Sequence, residues 1–361
     1  MRYSPLLFLA TALVPGVSLA QAPARFAQRV DAYATAELAR QRIPGFSLAV
    51  MRRGHIVLER GYGLANVEHQ VAAQPVTVYQ SGSLGKQFTA AAIMLLVQDG
   101  KLALTDPVTR FFPDAPPPWN TVTIRHLLTH TSGAGDYPDD FDYRHDYTEA
   151  DMRALVLSRP LAFLPGDSWA YSNLGYVLLG AIIHQVSGEF YGDLLRRRIF
   201  LPFGMTTARI ISEADIVPHR SAGYQLVDSV LRHQDWVSPV VNTTADGSLY
   251  LTVRDMARWD SLLYGTQLLT SESFREITTP VMLNNGTAYP YGFGWRVGTA
   301  HGHRIMAHSG SWQGFKSYFV RYPDDGVSVV IFANLAQADV TTIAQRVAAL
   351  WDAGLKPLSE E

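Results

Sequence analysis

Ser83-Leu84-Gly85-Lys86 sets a hydroxyl three residues before an amine. An extended stretch, Val76 to Gln80, precedes it, and a helix is expected from about Leu84. Ser83 and Lys86 then share one face, one turn apart. A serine hydroxyl is a poor nucleophile until a base lies within hydrogen-bond reach. Lysine is a base only when neutral, a form that burial and the positive end of a helix dipole both favour. A cation is otherwise a poor occupant of a first helical turn. The motif is short, however. With about 4 lysines and 23 serines, a chance S-x-x-K is expected roughly a quarter of the time. A capping serine beside a solvated lysine explains the same residues.

Two further constellations add polar groups of the right kind. Tyr171-Ser172-Asn173 follows the Pro165-Gly166 turn and precedes an apolar helix. A tyrosine hydroxyl there can relay a proton, and an asparagine amide can hold a substrate carbonyl or orient a lysine. Taken alone, Asn173 reads as a helix N-cap. His308-Ser309-Gly310-Ser311 lies in a turn-rich strand before Phe315, where glycine lets another backbone approach closely. Such an edge can offer a backbone N–H to an oxyanion, a hydroxyl and an imidazole. Taken alone, it reads as a loop with an exposed histidine.

Competing chemistries find less support. His126 and His130 stand i,i+4, yet no glutamate follows His126 as in H-E-x-x-H, so no metal site is expected. His130 reads instead as tying down its loop by hydrogen bonds. Asp136, Asp139, Asp140 and Asp142 lack the glycine and terminal glutamate of a calcium loop and read as a solvated, tyrosine-rich surface loop. The chain contains no G-x-S-x-G elbow. It has no cysteine, which removes thiol nucleophiles and disulfides. A formal net charge of −2 over 361 residues argues against nucleic-acid binding.

The elements that must position these groups fall into two textures. Residues 1–22 read as a cleaved export signal: Arg2, an apolar run from Pro5 to Val17 broken by Pro15-Gly16, then small residues with cleavage after Ala20 or Ala22. The product is expected to be exported, periplasmic or secreted, without stable membrane insertion. Arg25 to Arg40 carries apolar residues at helical spacing, followed by a hairpin that turns at Arg53-Gly54. Near the other end, Phe315–Tyr322 and Val327–Ala333 read as strands around Pro323-Asp324-Asp325-Gly326. Val340 to Trp351 reads as a last amphipathic helix. The middle reads helical over Gln87–Asp99, Ile124–Thr129, Glu149–Leu157, Asn173–Ser187 and Leu194–Phe200. The expected architecture is α/β. A helix-covered antiparallel sheet comes from roughly 23–79 and 290–361, with a mainly helical insertion over roughly 80–289 and the site between them.

In order and spacing the three constellations resemble the S-x-x-K, Y-x-N and K/H-T/S-G motifs of the penicillin-recognising serine hydrolases. That family comprises class C β-lactamases, D-alanyl-D-alanine carboxypeptidases, D-aminopeptidases and related esterases. Gly61-Tyr62-Gly63, Leu127 to Gly133, Pro165-Gly166 and Tyr291-Gly292-Phe293-Gly294-Trp295 resemble its framework, so the likeness covers essentially residues 25 to 352. The resemblance implies a β-lactamase/transpeptidase-like fold and an acyl-enzyme on Ser83, with Lys86 and Tyr171 sharing the proton transfers. It implies that Asn173 binds the substrate amide and helps place Lys86. The N–H groups of Ser83 and Ser311 would form an oxyanion hole, and His308, Ser309 and Gly310 would line the substrate cleft. No cofactor is implied. The partner is a small molecule or peptide, peptidoglycan fragments included. β-Lactamases of this shape carry lysine where His308 stands, so the histidine favours a peptidase or esterase over a class C-like β-lactamase. A non-hydrolytic β-lactam or peptidoglycan sensor is the reading from another functional class.

Overall fold

A computed structural model describes residues 21–210 and 215–355. Residues 1–20 of the expected export segment lie outside the described residues. The first helix, α1, spans Gln21–Gln41. Strands β1 (Gly45–Arg52), β2 (His55–Asn66) and β3 (Val71–Ala72) follow it. Far downstream come β4 (Arg296–Ala300), β5 (His303–Trp312), β6 (Phe315–Tyr322) and β7 (Val327–Ala333). They form one seven-stranded sheet in the order β4-β5-β6-β7-β1-β2-β3. The two ends of the chain meet at its centre, where β1 pairs antiparallel with β7 from Phe46↔Ala333 to Arg52↔Val327.

The sheet is covered on both faces, which explains why β7 is apolar almost throughout. Val327, Val329, Ile331 and Ala333 join Phe26, Val30 and Ala34 of α1 and Ile343 and Val347 of the last helix, Val340–Trp351. Val330 and Phe332 face the other way, into the core of the helical region. At the centre of that region lie α2 (Lys86–Gln98) and α3 (Asn173–Ser187). α2 is buried from Lys86 to Leu96 and α3 from Leu174 to Ile183. Helices apolar on every side belong inside a fold, and these two pack on each other there.

Three departures from the sequence reading have local causes. Helices at Val253–Leu262 and Ser271–Thr278 were not anticipated. The first opens with a Thr252/Asp255 capping box and the second with Thr270 accepting the Ser273 N–H. The helix expected over Leu194–Phe200 is a short α turn, Tyr191–Leu195, that continues as a π turn over Arg196–Phe200. The segment holding His308 is a regular ten-residue strand rather than a turn-rich one. Its partner β6 pairs along it from Met306↔Arg321 to Trp312↔Phe315.

Candidate active site

Ser83 sits in a 3-10 turn, Gly82–Gly85, that runs directly into α2. Lys86, the first residue of that helix, is fully buried. Its Nζ reaches Ser83 Oγ at 3.2 Å, Asn173 Oδ1 at 2.7 Å and the Asp246 carbonyl oxygen at 2.5 Å. The two carbonyl oxygens can only accept, so each requires an N–H from Lys86. Ser83 Oγ can take either role. A neutral amine with its two N–H groups on the carbonyls therefore aims its lone pair at the Ser83 hydroxyl.

Asn173 is free for this task because its neighbour does the capping. Ser172 Oγ accepts the Gly175 N–H at 2.9 Å and donates to the Gly135 carbonyl. Asn173 is thus the first helical residue rather than the expected N-cap. Asp136 fixes its amide: Asn173 Nδ2 donates to Asp136 Oδ2 at 3.0 Å, which turns Oδ1 toward Lys86. Asp136 also accepts the Tyr137 N–H at 2.8 Å. Burial raises the Asp136 carboxyl above the ordinary carboxylate range, opposed by the hydrogen bonds from Tyr137 and Asn173. The solvated surface loop expected at Asp136 is, at that residue, a wall of the site.

β5 forms the opposite wall, closer than any side chain would allow. A Cβ at Gly310 would lie 1.9 Å from the Ser81 carbonyl oxygen and 2.4 Å from Ser317 Oγ. A Cβ at Gly82, whose φ is +53°, would lie 2.5 Å from the Ser311 nitrogen. Ser317 Oγ donates to Ser81 O at 2.6 Å and pins the turn to β6. β4 pairs with β5 only as far as Ala307, so among the described residues 308–312 have no partner strand on that side. Ser309 and Ser311 are exposed there, whereas His308 and Gly310 are buried.

His308 ends a hydrogen-bonded wire whose polarity is determined throughout. Ser172 N–H donates to His130 Nδ1 at 3.1 Å, so His130 Nε2 carries the proton toward Tyr291 Oη at 3.1 Å. Tyr291 then donates to His308 Nε2 at 2.9 Å, leaving His308 Nδ1 to donate to the Ser309 carbonyl at 2.6 Å. Both rings are neutral: burial lowers the His308 pKa to about 3 and holds His130 well below its ordinary value. His308 borders the larger cavity, as expected of a cleft-lining residue, but both its ring nitrogens are committed within the wire, so the imidazole has no free nitrogen to offer a substrate. His130 does tie down its loop, and its ring lies 4.3 Å from that of Tyr171. His126, its i,i+4 neighbour, instead accepts the Thr123 N–H at 3.2 Å.

The wire makes stability pH-dependent with a definite sign. Both histidines have folded pKa values below the unfolded value near 6.5, so the unfolded chain binds more protons between there and about 3. The stability they contribute is full above pH 6.5 and is lost as pH falls toward 3. Burial of His308 is expected to remove on the order of 1.5 kcal/mol between pH 6.5 and pH 5, before most carboxylates titrate, and His130 acts in the same direction. Urea denaturation at the two pH values measures this, and His308→Asn should flatten the slope. A slope unchanged by that substitution would place the proton uptake elsewhere.

Ser83 stands between two cavities. The larger, about 410 Å³, is bordered by Tyr171, Arg296, His308, Ser309, Ser311 and Lys316 among others. The smaller, about 120 Å³, is bordered by Tyr137, Tyr143, Asn173, Asp246 and Trp312 among others. The Tyr171 hydroxyl is buried without a hydrogen-bond partner among the described residues, and Lys86 Nζ lies 4.9 Å from its ring centre. Sequence reasoning missed Arg296, which stands over the Trp169 ring at 5.9 Å. No carboxylate among the described residues pairs with Arg296 or Lys316. The cleft therefore carries fixed positive charge beside a neutral His308. The signal that pointed to Arg296 was its place directly after Tyr291-Gly292-Phe293-Gly294-Trp295.

A serine on a tight turn, a buried lysine hydrogen-bonded to it and a bare strand edge, arranged between a helical region and an antiparallel sheet, define the class. The chain belongs to the beta-lactamase family, whose family model matches residues 28–350. It is 32% identical over 299 residues to penicillin-binding protein 4* of Bacillus subtilis, covering 78% of this chain and 66% of that protein. Similarity to the D-aminopeptidase of Gluconobacter oxydans is 29% over 335 residues, covering 90% and 62% respectively. The chain thus spans about two-thirds or less of the length of these relatives. Among solved structures, the octameric penicillin-binding protein homologue from Pyrococcus abyssi superposes with a TM-score of 0.81 at 28% identity, covering 91% of this chain and 78% of that one. The D-amino acid amidase from Ochrobactrum anthropi shares the fold, with a TM-score of 0.80 at 24% identity and coverage of 90% and 98%. No helix among the described residues is long and apolar enough to cross a membrane.

Proposed function

We propose that this chain is an exported serine hydrolase that works through an acyl-enzyme on Ser83, with D-alanyl peptides or D-amino acid amides as acyl donors. The observation that carries the reading is the set of three hydrogen bonds at Lys86 Nζ, two to obligate acceptors and one to Ser83. Lys86 takes the Ser83 proton as Oγ attacks the scissile carbonyl. The backbone N–H groups of Ser83 and Ser311 bind the oxyanion, which the close approach of β5 to the nucleophile turn favours. Tyr171 borders the larger cavity and its buried hydroxyl has no hydrogen-bond partner among the described residues; it relays the proton taken by Lys86 to the leaving nitrogen. The C–N bond breaks, and water enters by the reverse proton path to release the acid.

A substrate backbone can add to the bare edge of β5 as an extra strand. Arg296 supports a leaving group that ends in a free carboxylate. The D-aminopeptidase likeness supports a D-configured acyl residue. Export rests on residues 1–22 as a sequence pattern. The test is a panel of D-alanine amide, D-alanyl-D-alanine, their L counterparts and a cephalosporin, assayed with wild type and Ser83→Ala. Turnover of the D compounds that is lost in the variant is the expected result. Cephalosporin hydrolysis outrunning every amide would instead make the chain a β-lactamase.

A further inference from the structure

The smaller cavity beside Ser83 is built differently from the larger one. Tyr143 and Trp312 stand edge to face at 5.9 Å across it, and Trp312 Nε1 is anchored on Asn242 Oδ1 at 2.7 Å. Two carboxylates lie close by, Asp136 and Asp246, but only one has spare capacity. Asp136 is used on both oxygens: Oδ2 accepts Asn173 Nδ2, and Oδ1 accepts the Tyr137 N–H and, at 3.3 Å, the Asn173 N–H. Asp246 Oδ2 accepts the Tyr137 hydroxyl at 3.3 Å, and among the described residues no other hydrogen bond and no ion pair reaches its carboxylate. Asp246 is nonetheless only 9% exposed. A largely buried carboxylate with no ion-pair partner among the described residues favours a cation placed beside it.

Charge on the two sides of the nucleophile is therefore opposite. Arg296 and Lys316 outnumber Asp339 around the larger cavity, while among the described residues Asp246 is the one charged residue bordering the smaller. We infer that the smaller cavity holds an acyl residue with a free α-ammonium group, which Asp246 binds by a charge-assisted hydrogen bond against the aromatic wall of Tyr143 and Trp312. The cavity, about 120 Å³, suits one small residue and not an extended acyl chain. The preferred substrate is then an N-terminally free D-aminoacyl amide or a short zwitterionic D-peptide, not an N-blocked strand end. This assignment rests on the acyl-enzyme reading above and narrows it.

The experiment compares D-alanine p-nitroanilide, propionyl p-nitroanilide and N-acetyl-D-alanine p-nitroanilide, which share a leaving group. Propionyl lacks only the amine, so it separates the lost charge from steric exclusion of the acetyl group. In wild type, kcat/KM for the D-alanine compound is expected to exceed that for the propionyl compound by on the order of 30-fold, the scale of one charge-assisted hydrogen bond. Asp246→Asn should bring that ratio below about threefold, on the same scale. Equal rates in wild type, preference for the acetylated compound, or an undiminished ratio in Asp246→Asn would each overturn the assignment. Should Asp246→Asn fail to fold, the same ratio measured in Asp246→Ser decides, because the inductive pull of the α-ammonium already raises the wild-type ratio without any contact to Asp246. A fluorophosphonate run in parallel separates the two levels. No anilide turnover by protein labelled at Ser83 defeats the Asp246 assignment alone, whereas absence of labelling defeats the acyl-enzyme reading beneath it.

Discussion

Lys86→Met is expected to lower kcat by about 10²–10⁴-fold while changing KM far less, because it removes a proton acceptor used only on the way to the transition state. Methionine keeps much of the buried volume, so a loss of turnover is separable from a loss of packing. The variant does leave Asn173 Oδ1 and the Asp246 carbonyl without their Lys86 donor, which costs about 1–3 kcal/mol each where no water reaches them. Thermal unfolding therefore belongs beside the kinetics. Tyr171→Phe removes only a hydroxyl that has no hydrogen-bond partner among the described residues, so it should lower kcat without destabilising the protein. Burst kinetics with an activated ester separates acylation from deacylation in both variants. Near-normal turnover in either one would show that the proton travels by another route.

Gly310→Ala should be comparably damaging, for a steric reason. The added methyl would sit 1.9 Å from the Ser81 carbonyl oxygen, a contact no rotamer can relieve because both atoms belong to main chain and Cβ. Either β5 or the nucleophile turn must withdraw. The two donors assigned to the oxyanion lie on those two segments, so displacing one is expected to cost about 10²–10³ in kcat, the scale of a lost oxyanion donor. Gly298→Ala, on β4 where an added Cβ meets nothing within 4 Å, carries no such clash and serves as the control. Equal kinetics in Gly310→Ala and wild type would mean that strand and turn are not coupled in catalysis.

How much of this was legible in the sequence follows from how local each signal is. β6 and β7 were readable to the residue: β7, buried on both faces, writes itself as an almost apolar run, and the turn residues Pro323-Asp324-Asp325-Gly326 mark where the aromatic-rich β6 ends. Ser83 and Lys86 were readable because one helical turn separates them, and the order of the three motifs placed Asn173 beside Lys86. Asp136 and Asp246 were not. Each sits in an irregular loop, where no period distinguishes a residue facing the cleft from one facing water. The wire from His130 through Tyr291 to His308 spans residues 161 and 17 positions apart, a proximity that only the packing of three segments creates. For the same reason the neutrality of His308 could be anticipated from its ordinary pKa, while the commitment of both its nitrogens could not. The helix at Val253–Leu262 was a missed opportunity, since Thr252 and Asp255 stand at capping-box spacing in plain view.

The central claim is that Ser83 carries the acyl group. Its most direct measurement is intact-mass analysis, followed by peptide mapping, after incubation with a fluorophosphonate and separately with penicillin. A single adduct on the peptide containing Ser83, absent in Ser83→Ala, is the predicted result. Labelling that persists in Ser83→Ala, at Ser309 or Ser311 for example, would contradict the account.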